Sequence, residues 1–219
     1  MNIIPLNRLD MYEFFCDTDI IDEVLNEIKN TELEWTPDEG GRTAVGYLES
    51  ATCTPYYNHR LFNWYQECLD KISSLHFDDR KLTITDSWVN SSAFGGTLDP
   101  HIHMNSVISG LLYFSDFKKS STVFSYEDQW RQHLPNINKT YNKNTTKIIP
   151  QKGKLVVWRS DIMHHMEPHT DIKNTRYTMT FNTFFDNEIS NKISQFLSIK
   201  VNSAKDRYEA YMNKNNETM

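Results

Sequence analysis

From Lys81 onward the chain leaves helical spacing for short runs of β-branched and aromatic residues, and this change constrains the fold more than any other feature. The runs are Leu82 to Asn90, Ser106 to Ser115, Ser121 to Tyr126, Lys147 to Ile149, Lys154 to Trp158 and Arg176 to Phe185. Turn signals fall between them at Gly95-Gly96, Lys118-Lys119 and Gln151-Lys152-Gly153. Such side chains pack well on a pleated surface, and several short runs at this spacing read as a sandwich or small jelly-roll barrel. Two earlier stretches keep apolar residues at helical spacing: Asp17 to Asn30, through Ile20, Ile21, Val24, Leu25 and Ile28, and Asn58 to Leu75, through Leu61, Trp64, Tyr65, Cys68, Leu69 and Ile72. Both are expected to pack outside the sheets, with Thr18 capping the first.

At 219 residues the chain can bury one good core, so a single domain is expected over 1–219. It divides into a helical N-terminal part, 1–80, a β core, 81–186, and a C-terminal extension, 187–219, where Ala204 to Met212 has helical character. Thr36 to Pro55 reads as loop with a short strand at Ala44 to Leu48, and the polar, Asn-rich Gln129 to Asn144 as a long inserted loop suited to a lid.

Composition narrows the function. A formal net charge of -6 argues against a nucleic-acid surface, which needs clustered Lys and Arg. Cys16, Cys53 and Cys68 are odd in number and widely spaced, as in reduced thiols rather than a zinc or redox pair. No run approaches the roughly 20 apolar residues that span a bilayer, and Met1 to Phe15 lacks a basic leader pattern. A soluble, cytoplasmic protein is expected, with no membrane partner.

The chemistry concentrates in a few positions. In Pro100-His101-Ile102-His103 two histidines at i and i+2 on a strand project to one face. His164 follows the turn and apolar run Gly153 to Trp158 and can supply a distant third imidazole; three inward imidazoles would fill one face of an octahedral metal site. His165 should point the other way, and His169, after Pro168, reads as surface. Arg176 opens a strand in which Tyr177, Met179 and Phe181 alternate with Thr178 and Thr180. An inward guanidinium there requires an anionic partner and suits one end of a dicarboxylate, with Thr178 on the same face; a structural ion pair is the other reading.

Taken in order, Trp88-Val89-Asn90, Pro100 to His103, Ser109-Gly110-Leu111-Leu112-Tyr113, Gly153-Lys154-Leu155, Trp158 to His164 with Pro168, and Arg176 to Asn182 resemble the iron(II)- and 2-oxoglutarate-dependent oxygenases. The pattern is similar to the branch found in phages and bacteria that runs H-x-H, S-G-x-x-Y, F-P-S-x-x-x-H and R-x-x-x-x-F-N. The resemblance implies a mainly β fold with flanking helices around a double-stranded β-helix (a jelly-roll, cupin-like core). It further implies Fe(II) on His101, His103 and His164, 2-oxoglutarate chelating the iron with its distal carboxylate on Arg176 and Thr178, and O2 as co-substrate. Ser109, Tyr113 and Asn90 are candidates to hydrogen-bond 2-oxoglutarate. His103 stands where most of that superfamily has a carboxylate ligand, so the donor set is neutral. A cupin-like metal enzyme without 2-oxoglutarate and a non-catalytic β-sandwich binding module are the alternatives, and the substrate is not legible.

Overall fold

The computed structural model describes residues 11–33, 35–38, 41–44, 58–126, 144–186, 189–191 and 194–199. Helix α1 (Thr18–Asn30) and helix α2 (His59–His76) occupy the expected stretches. The strands are β1 (Tyr12–Phe15), β2 (Trp35–Asp38), β3 (Gly41–Ala44), β4 (Leu82–Ser92), β5 (Leu98–His101), β6 (Ile108–Tyr113), β7 (Thr122–Tyr126), β8 (Asn144–Ile148), β9 (Lys154–Arg159), β10 (Met163–Met166), β11 (Arg176–Phe185), β12 (Ile189–Asn191) and β13 (Ser194–Ile199).

A seven-stranded sheet runs β1-β9-β6-β11-β4-β3-β2, and a four-stranded sheet runs β5-β10-β7-β8. The pairings are antiparallel, and the chain crosses repeatedly between the two sheets, as in a jelly roll. Period-two alternation explains the layering. Along β6 and β9, Leu112, Leu155 and Val157 face a core shared with α1 and α2, whereas Leu111, Tyr113, Val156 and Trp158 face the interior between the sheets with Phe124 and Ile162. Along β11, Met179 and Phe181 join the helix side. The residues that alternate with them, Thr178 and Thr180, are therefore left to line the interior.

Gly110 is paired with Phe181, and a Cβ built on it would come within 2.2 Å of the phenyl ring. The glycine lets Phe181 lie flat across β6 and meet Tyr65 of α2 edge-on at 4.9 Å between ring centroids. Helix α2 is capped by Asn58, whose side chain accepts from Leu61 N–H at 3.0 Å and donates to Glu23 of α1 at 2.9 Å. Helix α1 begins at Thr18 with Asp17 in the N-cap position and no side-chain cap, which corrects the expectation that Thr18 caps it.

The N-terminal part, expected to be helical, also adds β1, β2 and β3 to the large sheet. The hairpin of β2 and β3 ends at Ala44, where a strand was expected to begin; residues 45–57 lie outside the described set, as do most of Gln129 to Asn144 and the helix expected at Ala204 to Met212. Among the described residues no helix is long and apolar enough to cross a membrane.

Candidate metal centre and co-substrate pocket

Strand pairing builds the histidine cluster. In the register of β5 and β10, His101 stands opposite His164, and directly opposed residues of an antiparallel pair share a face. His103 lies just past β5, where its backbone N–H donates to Ser160 O at 2.9 Å, so its ring closes over the same spot. The three imidazoles present ligand atoms within 4.8 Å of one another, with ring centroids 4.3 Å apart for His101 and His164, 4.8 Å for His103 and His164 and 5.3 Å for His101 and His103.

Each ring has its Nδ1 taken. His101 Nδ1 lies 2.8 Å from Asp99 O, His164 Nδ1 3.1 Å from Ile162 O and His103 Nδ1 2.7 Å from Asn182 Oδ1. All three partners are carbonyl acceptors, which places the proton on Nδ1 and leaves the Nε2 lone pairs for a metal. Ser109 Oγ lies 2.8 Å from both His103 Nδ1 and Asn182 Oδ1, and 2.8 Å from Ser160 Oγ. Burial pushes the His103 imidazole down to about 4 and His164 to about 3, with His101 the next cause for both. Trp158 and Phe124 supply much of that apolar wall, their ring centroids 4.9 and 5.6 Å from His164. Neutral, pre-oriented imidazoles are the form a divalent cation binds.

At the other end of the interior, Arg176 is only 3% exposed. Its Nη1 donates to Met166 Sδ at 2.7 Å and Nη2 to Thr122 Oγ1 at 3.3 Å, while the Tyr113 ring centroid lies 5.4 Å from the guanidinium. Tyr113 Oη donates to the same Thr122 hydroxyl at 2.8 Å. Burial lowers the affinity of Arg176 for its proton, and Tyr113 opposes this. Arg176 Nε and the Thr178 hydroxyl are buried with no hydrogen-bond partner. Among the described residues no carboxylate forms a salt bridge with Arg176. A buried cation beside unmatched polar atoms suits an incoming carboxylate.

The candidates from the sequence thus divide into two groups. His101, His103 and His164 converge at one end, and Arg176, Thr178 and Tyr113 at the other. Asn90 pairs in register with Thr178, and its Nδ2 donates to Thr180 Oγ1 at 3.4 Å. Ser109 stands beside His103. Asn182 was not singled out as a site residue, although even spacing from Arg176 puts it on the interior face. His169 is not on the surface: it is 1% exposed, with Nδ1 2.9 Å from Ser120 Oγ and Nε2 2.7 Å from Asn174 O, so both ring nitrogens are engaged structurally.

The family model "Putative 2OG-Fe(II) oxygenase" matches residues 86–182, from β4 to Asn182. This stretch is that of an iron(II)- and 2-oxoglutarate-dependent oxygenase. Among solved structures, the oxygenase is similar to the epimerase SnoN from nogalamycin biosynthesis, with 9% identity over 81% of this chain and 78% of that one at a TM-score of 0.58. It is similar to a prolyl hydroxylase from Trichoplax adhaerens, solved with a hypoxia inducible factor peptide, with 15% identity over 82% and 84% at 0.55. HygX from Streptomyces hygroscopicus, solved with nickel and 2-oxoglutarate, gives 8% identity over 90% and 94% at 0.54. At these identities the likeness shows the fold, a double-stranded β-helix. No curated protein matches in sequence. Fe(II), 2-oxoglutarate and O2 follow from the family, and the readings of a cupin without 2-oxoglutarate and of a non-catalytic sandwich give way.

Proposed function

We propose that the oxygenase hydroxylates its substrate at a centre where His101, His103 and His164 hold iron(II) through Nε2 and Arg176 receives the distal carboxylate of 2-oxoglutarate. The observation that carries this reading is the unmatched Nε of the buried Arg176 beside the unmatched hydroxyl of Thr178, in the same interior as three imidazoles whose Nδ1 atoms are already engaged. The reaction balances as substrate C–H plus 2-oxoglutarate plus O2 giving substrate C–OH, succinate and carbon dioxide.

Iron(II), when bound, supplies the activation of O2 and the coupled oxidation of the 2-oxo acid. The chain's residues supply everything that must be fixed beforehand. Arg176 fixes one end of the co-substrate, and Thr178 adds a hydrogen bond to the same carboxylate. Asn182 and Ser109 hold His103 in one tautomer and orientation. Trp158 and Phe124 keep water from the histidine face. With His103 in place of a carboxylate, the loaded site carries one more unit of positive charge than a two-histidine, one-carboxylate set. This favours the dianionic co-substrate and weakens the hold on the cation itself. The net charge of -6 supports a substrate that is not a polyanion.

The test is anaerobic iron binding by His101→Ala and His164→Ala, together with conversion of 2-oxoglutarate to succinate across a panel of small molecules and peptides. Loss of iron binding and of conversion is expected. An alanine variant that binds iron like the parent would overturn the ligand assignment.

A further inference from the structure

Arg176 meets a thioether on one side. Met166 Sδ accepts from Nη1 at 2.7 Å, and Ser92 Oγ donates to the same sulfur at 3.8 Å, so the sulfur is held between two donors. Met166 closes β10, is buried, and stands in register with Thr122, whose hydroxyl takes Nη2. A guanidinium is a planar fork that can take a carboxylate along its Nη1/Nη2 end or along its Nε/Nη2 side. A sulfur in contact with Nη1 leaves no room for a carboxylate oxygen there. The Nε side keeps an unmatched donor.

We propose that Met166 determines which 2-oxo acid the oxygenase accepts: it seats Arg176 with the Nε side open and limits how deep the distal carboxylate can reach, and so sets the length of the dicarboxylate. This rests on the reading of Arg176 as the anchor of the co-substrate. A thioether suits the task because it is a weak, uncharged acceptor that satisfies a buried N–H without cancelling the cation. A carboxylate at the same place would pair with Arg176 and exclude the ligand.

The experiment measures equilibrium binding of 2-oxoglutarate and of 2-oxoadipate, one methylene longer, to nickel(II)-loaded protein by calorimetry, with no turnover. The parent is expected to prefer 2-oxoglutarate. Met166→Ala, which opens the end of the pocket, should shift the ratio of the two dissociation constants toward 2-oxoadipate by about tenfold or more, the scale on which one methylene is discriminated in a fitted pocket. Met166→Leu, of similar volume but without the acceptor, should keep the parent's ratio and weaken both acids by roughly fivefold, because Arg176 is then held in the binding orientation only part of the time. Met166→Val, shorter and well suited to a strand, should shift the ratio in the same direction as alanine and serves if the alanine variant does not fold. A parent without preference, or alanine and valine variants with the parent's ratio, overturns the proposal. Arg176→Ala separates the two readings. If it binds both acids like the parent, the anchor itself is wrong; if it loses them while the ratio stays fixed across the Met166 variants, only the role of Met166 falls.

Discussion

Asn182 Oδ1 lies 2.7 Å from His103 Nδ1, so a residue of the large sheet sets the orientation of a ring that meets His101 and His164 of the small sheet. Outer partners of this kind typically carry about 10–100-fold in metal affinity. Asn182→Ala should weaken iron binding by that factor in an anaerobic chelator competition. Asn182→Asp should tighten it, since a carboxylate on the Nδ1 proton makes Nε2 more basic and returns a negative charge to a neutral donor set. An alanine variant with parental affinity would show that His103 is oriented by something else.

The depressed imidazoles fix a pH dependence for the metal-free protein. Unfolded histidine takes up a proton near 6.5, whereas His103 resists protonation down to about 4 and His164 to about 3 in the fold. Below about pH 6.5 the unfolded chain therefore binds more protons than the native one, and stability falls with pH. The slope is up to about 1.4 kcal/mol per pH unit for each ring, continuing to the folded values, and this contribution is fully present above 6.5. Urea unfolding at pH 7, 6 and 5 measures it. His164→Gln should flatten the profile relative to the parent, and parallel profiles would count against a buried neutral His164.

On the proposed reading, the buried Arg176 serves a ligand at some expense to the fold. Arg176→Ala should leave metal affinity within about threefold and weaken 2-oxoglutarate by roughly 10–100-fold, the range for a lost charge-assisted hydrogen bond. Arg176→Lys should recover part of this, because a point charge does not reproduce the planar fork. Arg176→Met should raise the Tm of the ligand-free protein, by roughly 2–4 °C for each kcal/mol recovered, since a buried unpaired cation is removed. A lower Tm for the methionine variant would make Arg176 a structural residue.

Gly110 tests the packing of the other face. Gly110→Ala brings a methyl group against the Phe181 ring and should cost about 1–3 kcal/mol in chemical denaturation. Adding Phe181→Leu should recover part of the loss, and the coupling between the two sites measures how much of the penalty is that one contact.

Much of the large sheet was legible in the sequence because its strands alternate. Arg176 to Phe185 puts Met179 and Phe181 under the helices, so Thr178, Thr180 and the buried Arg176 follow on the interior face. The small sheet was harder to read. Leu98–His101 contains Asp99 and Pro100, and Met163–Met166 is too short to show a period; β10 is a strand because β5 and β7 pair with it on both sides. The histidine trio was visible in its spacing, but the surroundings of Arg176 were not. Met166 and Thr122 reach it across the interior from the facing sheet, 10 and 54 residues away along the chain. His169 was misread for the same reason, since Ser120, from a distant loop, provides its cover.

The histidines also straddle a seam. His101 and His164 belong to the four-stranded sheet, whereas His103 is fastened through Ser160, Ser109 and Asn182 to the seven-stranded one. A cation gripped by all three acts as a rivet between the two walls of the barrel. Stripping it should loosen the rim before the body, so that amide exchange quickens around His101 and His164 while Leu112 and Met179, deep under the helices, stay protected. Catalytic competence and closure of the barrel are then one mechanical property, and a substitution that shifts one sheet against the other detunes the metal without touching it.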